Sequence, residues 1–256
     1  MAKVIALAGK GGTGKTTTGG MIIKYLVKNH KGPVLAVDAD ANSNLNEVLG
    51  MEVETTLGDI REEVARAEMS EKNPIPLGMT KPEYMEMKLQ DALAEGKDYD
   101  LLVMGRTQGK GCYCYVNGVL QSQLSRYIDN YNYLVVDNEA GLEHIARGIL
   151  PRIDILFLIS DCSRRGIEAV ARIDEMVKDL GLEPPVTKLI VNRAPGGKLN
   201  EGTMSAIKEH GLDLLAVLPH SDQIYEMDSE GLPTSDIPED APVKKTLYAA
   251  LDTLQL

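Results

Sequence analysis

The sequence predicts an α/β fold, a mostly parallel twisted sheet with helices on both faces. Three observations carry that expectation. Short runs of consecutive apolar residues recur along the chain, as in strands covered on both sides. Segments of helical periodicity alternate with them, the pattern that winds a parallel sheet through right-handed crossovers. A glycine-rich loop follows the first apolar run and opens the first helical segment, where a phosphate-binding loop belongs.

The expected strands are Lys3–Ala8, Val34–Asp38, Leu101–Met104, Tyr133–Asp137, Ile155–Ser160, Lys188–Asn192 and Leu214–Leu218. The expected helices are Lys15–Asn29, Leu57–Glu68, Pro82–Ala94, Val119–Ile128, Arg165–Leu180, Glu201–His210 and Pro242–Leu254. Residues 51–96 are charged, Met-bearing and weakly strand-forming, so they read as a helical insertion over the sheet edge. No repeat, low-complexity tract or linker divides the chain, so 1–256 reads as one domain.

Of the 256 residues, 43% are apolar and 25% charged, enough to bury a core. Lys and Arg number 27 against 38 Asp and Glu, a net charge of −11. Such acidity argues against sequence-independent binding to nucleic acid, which needs clustered cations. It leaves room for a nucleotide pocket, where a few backbone amides and one Lys neutralise phosphate locally. The three cysteines, Cys112, Cys114 and Cys162, are too few for a disulfide scaffold. No apolar run approaches the roughly 20 residues of a membrane span. The apolar N-terminus runs into a glycine loop without a cleavage site, so a cytoplasmic location is expected.

Gly9-Lys10-Gly11-Gly12-Thr13-Gly14-Lys15-Thr16-Thr17 matches the phosphate-loop pattern G-x-x-x-x-G-K-[ST]. Its glycines let successive N–H groups point at phosphate oxygens. Lys15 is placed to reach the β and γ phosphates and Thr16 to ligate Mg²⁺, with the helix dipole adding to both. The second strand ends in Val37-Asp38-Ala39-Asp40. The i, i+2 spacing puts both carboxylates on one side of the ligand rim, within reach of a metal's water shell and of a nucleophilic water. Val135-Val136-Asp137 is a Walker B arrangement that binds Mg²⁺ through water, and Gly141 lets a backbone amide approach the γ-phosphate. Asn192, at another strand end, has an amide that both donates and accepts at a base edge.

Cys112 and Cys114 lie in a short glycine-preceded segment, 109–117. In extended chain their Cα atoms stand about 6.6 Å apart on one face, long for a disulfide and suited to gripping one metal ion. Two thiolates are half of a tetrahedral site. Two incidental reduced thiols are the other reading. Cys162 reads as a packed thiol and His144 as a switch-region or core residue.

The Lys10-to-Thr17 loop, with its second lysine, resembles the deviant Walker A loop of the MinD/ParA/nitrogenase-iron-protein class of ATPases. The resemblance implies a homodimer closed by ATP, with Lys10 reaching the partner's nucleotide. It also implies that Asp40 orients the attacking water, that Asp38 supports Mg²⁺, and that Asn192 and the loop after Pro219 bracket adenine. In such a dimer the partner's Cys112 and the partner's Cys114 complete a four-thiolate site. With Cys112-x-Cys114 and Ala140-Gly141-Leu142-Glu143-His144 added, the chain resembles CooC-type ATPases, which insert nickel into carbon monoxide dehydrogenase, with relatives serving acetyl-CoA synthase. This implies Ni²⁺, or Zn²⁺ in vitro, held between subunits and released to the client as ATP becomes ADP and phosphate. Asn138-Glu139 departs from that pattern.

Two other readings compete. An iron–sulfur reductase like the nitrogenase iron protein uses widely separated cysteines, whereas the pair here is adjacent. A spatial organiser of the ParA or MinD kind needs a basic DNA-binding face or a basic amphipathic C-terminal helix. Residues 243–254 hold only two cations, Lys244 and Lys245, and read as docked on the core. No nucleic acid or membrane partner is expected.

Overall fold

The computed structural model describes residues 2–29, 31–40, 42–69, 75–105, 125, 128–138, 152–254 and 256. Lys3–Ala8 (β1) leads through the glycine loop into Lys15–Lys28 (α1) and then Val34–Ala39 (β2). Leu45–Leu49 (α2), Leu57–Met69 (α3) and Lys81–Asp91 (α4) follow, then Leu93–Ala94 (β3) and Tyr99–Val103 (β4). After Tyr133–Asn138 (β5) and Ile155–Asp161 (β6) come Arg164–Asp179 (α5), Val186–Ala194 (β7) and Glu201–Glu209 (α6). Leu214–Pro219 (β8), Asp222–Ser229 (α7) and Pro242–Asp252 (α8) complete the order.

The strands form one eight-stranded sheet in the order β3-β4-β2-β5-β1-β6-β7-β8, parallel except for β3. Strand periodicity divides the core into two layers. Ile5 and Leu7 of β1 face Met21, Ile22 and Leu26 of α1 and Leu247 of α8. Val4, Ala6 and Ala8 face the layer that holds α3, α4, α5 and α6. Each fully buried Leu or Ile on these faces contributes about 1.5–3 kcal/mol of transfer free energy. The chain winds to one side of β1 first and to the other afterwards. That reversal gathers the C-terminal ends of β1, β2 and β5 at one rim, where open α/β sheets bind ligands.

The expected architecture is present, with specific differences. The helix expected over Pro82–Ala94 stops at Asp91, and Leu93–Ala94 instead pairs antiparallel with Leu101–Leu102. The capping box of Thr80 and Glu83 fixes the start of α4. At its end, however, the spacing of Leu89, Ala92 and Leu93 suits a helix as well as an edge strand, and pairing with β4 decides. Expected strand Leu101–Met104 starts earlier, at Tyr99. Helices α2 and α7 are additions to the expected elements. The helix expected at Val119–Ile128 lies, except for residues 125 and 128, outside the described residues.

Helix α8 docks on the sheet as expected. Val243, Leu247 and Leu251 are buried, the Tyr25 hydroxyl donates to Asp252 at 2.7 Å, and the Tyr25 and Tyr248 rings meet edge-on at 5.1 Å. Among the described residues no helix is long and apolar enough to cross a membrane.

Candidate functional site

The loop between β1 and α1 is built by close approach and by its own hydrogen bonds. A Cβ on Gly9 would stand 2.1 Å from the Ile159 carbonyl oxygen, so only glycine lets β1 leave the sheet beside β6. Gly14 turns left-handed at φ 86° and caps α1 without a side chain. The Lys10 carbonyl accepts from the Thr13 hydroxyl at 2.8 Å and from Lys15 Nζ at 3.3 Å, which curls the loop on itself. Lys15 is buried at 7% exposure, whereas the Lys10 side chain, Gly11 and Gly12 are exposed. The first turn of α1 holds no acidic residue, so its dipole and free N–H groups are left for an anion. Thr16 and Thr17 follow in that turn, half-buried.

Behind the loop stand three carboxylates. Asp38 and Asp137 are register partners on β2 and β5, with their side chains on the same face. Asp38 is buried, and its two oxygens accept from the backbone N–H groups of Asp40 and Leu45, both at 2.9 Å. Burial pushes its carboxyl up to about 6, against the pull of those N–H groups. It therefore clamps the turn from β2 into α2. Asp40 is half-buried at the rim, and its carboxylate accepts the Asn42 N–H at 2.8 Å.

Asp137 is 2% exposed, and its Oδ1 has no hydrogen-bond partner. Burial pushes its carboxyl up to about 7; the Thr16 hydroxyl and Lys15 oppose that rise, while Asp38 and Asp40 add to it. An orphaned buried carboxylate oxygen beside a threonine hydroxyl fits a hydrated Mg²⁺: Thr16 would hold it directly and Asp137 through water. Asn138, which sequence reading left as a mere departure, is buried and donates to the Leu7 carbonyl at 3.0 Å, tying β5 to β1 just before the loop.

Asn192 joins this cluster from β7. Its Nδ2 donates to the Thr13 carbonyl at 3.1 Å, and its Oδ1 accepts the Arg193 N–H at 2.8 Å. One N–H and one lone pair stay available for a base edge. With Pro219, it lines a cleft of about 190 Å³ beside Gly14 and Thr17, where a base would lie. A second cleft of about 870 Å³ runs over Gly12, Lys15, Thr16 and Asp40 toward Thr234. The structure thus brings together Lys15, Thr16, Asp38, Asp40, Asp137 and Asn192. Cys112, Cys114, Gly141 and His144 lie outside the described residues. Cys162 is half-buried, its Sγ 3.8 Å from the Arg193 carbonyl.

A family model, the CobQ/CobB/MinD/ParA nucleotide binding domain, matches residues 4–234. The chain belongs to this family. An uncharacterized ATP-binding protein of Methanocaldococcus jannaschii is 41% identical over 94% of each chain. The carbon monoxide dehydrogenase accessory protein CooC of Rhodospirillum rubrum is 26% identical over 91% of this chain and 89% of its own. Among solved structures, the MinD cell division protein of Aquifex aeolicus superposes with a TM-score of 0.71, at 20% identity over 99% of this chain and 97% of that one. The Pyrococcus horikoshii septum site-determining protein MinD in complex with Mg-ADP gives 0.69, at 21% identity over 99% and 96%. These superpositions show the shared fold, and the family model describes a nucleotide binding domain.

Proposed function

We propose that this family member is an ATPase whose nucleotide cycle closes and opens a homodimer that delivers nickel to carbon monoxide dehydrogenase or acetyl-CoA synthase. The observation that carries the ATPase part is the convergence of Lys15, Thr16 and the unpartnered Asp137 oxygen on one rim. The nickel part is supported by the Cys112/Cys114 pair and by the likeness to a carbon monoxide dehydrogenase accessory protein along nearly the whole chain.

In the proposed hydrolysis, Asp40 orients a water for in-line attack on the γ-phosphorus, and the β–γ bridging oxygen leaves with the ADP. Lys15 and the partner's Lys10 neutralise the charge that builds on the transferring phosphoryl group. Mg²⁺, which Thr16 would hold directly and Asp137 through water, would supply further charge neutralisation. Asp38 keeps the Asp40 turn in place through the two backbone bonds described above. Catalysis is then positioning plus electrostatics, and turnover depends on dimerisation. Nickel is the cargo, shared by Cys112 and Cys114 of both subunits.

The test is metal stoichiometry against oligomeric state, with and without nucleotide, on anaerobically purified protein. One nickel per two chains, present only in the dimer, supports the reading. An absorbance band of an iron–sulfur cluster, in the region of roughly 400 nm, would favour the reductase reading instead. The organiser reading draws on the likeness to MinD proteins, but the docked apolar face of α8 and the net charge of −11 weigh against membrane and DNA surfaces. Binding to anionic vesicles or to DNA with ATP at physiological salt would reverse that ranking.

A further inference from the structure

We propose that Arg193 is a nucleotide-binding residue of this chain, its guanidinium closing on the α-phosphate at the seam between the base cleft and the phosphate cleft. Arg193 has φ 57°, left-handed for a long side chain, in a strand whose neighbours are extended. The register of β7 against β8 slips between Val191 and Ala194, so the strand bulges at Asn192-Arg193. Bulges re-aim a side chain that a regular strand would send elsewhere. A non-glycine residue in this region costs about 1 kcal/mol or more and persists where its surroundings hold it.

The surroundings do hold it. The Arg193 N–H is bound by Asn192 Oδ1 at 2.8 Å, and the same amide reaches the Thr13 carbonyl of the phosphate loop at 3.1 Å. The bulge is therefore latched to the loop that cradles phosphate. The side chain is exposed and lines both clefts, the smaller with Gly14, Thr17 and Pro219 and the larger with Gly12, Lys15 and Thr16. A nucleotide with its base in one and its β and γ phosphates in the other places its α-phosphate at their junction.

The charge balance favours the same ligand. Asp40, Glu47, Glu52 and Asp228 line these clefts, and Lys15 is the buried cation among the described residues that line them. A polyphosphate entering this rim needs further positive charge. No described acidic side chain pairs with the Arg193 guanidinium, in contrast to Arg164, which holds Glu168 and Glu209 at 3.1 Å. A planar guanidinium binds two phosphate oxygens at once, which a lysine cannot do.

This inference rests on nucleotide occupying the site, and the experiment separates the two. Binding of Mg-ADP and of adenosine is measured for the full chain and for the variants Arg193→Gly, Arg193→Gln and Arg193→Lys. If the unaltered chain binds no ADP, the nucleotide reading itself fails. If it does, Arg193→Gly and Arg193→Gln should each weaken ADP ten- to a hundredfold, as expected for a lost charge-assisted bond. Adenosine binding should be unchanged and Arg193→Lys intermediate. Because glycine accepts the left-handed conformation, Arg193→Gly should unfold no earlier than the unaltered chain. An ADP affinity within twofold of the original in both Gly and Gln variants overturns the proposal. Equal weakening of adenosine and ADP also overturns it, since the contact is then with the base.

Discussion

Replacing Asp137 by Asn should stabilise the nucleotide-free protein at alkaline pH while abolishing its response to Mg²⁺. The carboxyl is 2% exposed, one oxygen has no partner, and burial raises its pKa from 3.8 to about 7. A raised carboxyl pKa means that the folded chain holds the proton more tightly than the unfolded chain. The contribution to stability is therefore full below about pH 4 and is lost as pH rises toward 7. The displacement from 3.8 to about 7 is worth roughly 4 kcal/mol at pH 8. An asparagine avoids the charge and leaves an amide incompletely paired, at a cost of about 1 kcal/mol.

The net expectation is a gain of about 2–3 kcal/mol at pH 8 and a loss of about 1 kcal/mol at pH 4. The neighbouring Asp38, pushed up to about 6, keeps part of the pH dependence in the variant, because the two carboxyls titrate as a pair. Urea unfolding with EDTA at pH 4.5, 6 and 8 reads the difference. Adding Mg-ADP at pH 8 should reverse the order, stabilising the original chain and not the variant. A variant that is destabilised at pH 8, or that parallels the original at all three pH values, would refute the reasoning.

Three further outcomes follow from the same geometry. Gly14→Ala should cost about 1–3 kcal/mol, because φ is 86° and the new Cβ would lie 2.3 Å from Asn192 Nδ2; thermal unfolding checks it. Asp40→Ala should slow ATP hydrolysis by about 10²–10⁴ while an ATP-bound dimer persists on size-exclusion chromatography; full hydrolysis removes its assigned role. Replacing Cys112 and Cys114 by Ala should eliminate bound nickel and leave ADP affinity unchanged, as measured by elemental analysis beside calorimetry.

Much of the site was readable because each motif ties a residue type to a chain position. Gly9, Gly14 and Lys15 sit at fixed spacing after a buried strand, and Asp137 closes an apolar run. Local sequence therefore dictated where they would meet. What escaped depends on contacts between distant segments. Arg193 follows Leu189-Ile190-Val191-Asn192 as though the strand continued, and only its register against β8 and the latch to Thr13 reveal the bulge. Asn138 looked like a departure in a switch because its partner, the Leu7 carbonyl, is 131 residues away. Helices α2 and α7, of five and eight residues, are too short for periodicity to register. Leu93–Ala94 turned from helix to strand for the sake of two pairs with β4.

On the proposed function, the arrangement of charge would favour metal and nucleotide binding together. Asp38, Asp40 and Asp137 repel a bare polyphosphate, and among the described residues lining the clefts Lys15 and Arg193 offset them only in part. Mg²⁺ alone meets two carboxyls that burial keeps partly protonated near neutral pH, so it must displace protons to bind. With both bound, Thr16 and Asp137 would hold the metal, whose charge would offset carboxylates and phosphates together, while Lys15 and the first turn of α1 would take the remaining phosphate oxygens. Each ligand then raises the other's affinity by the same factor, as linkage requires. The same charge acts on the proposed dimer. Two chains of net charge −11 repel, and in the proposed dimer the exposed Lys10 of each would meet the nucleotide held by the other. On that proposal nucleotide would supply the attraction between the two surfaces, and closure would be conditional on occupancy.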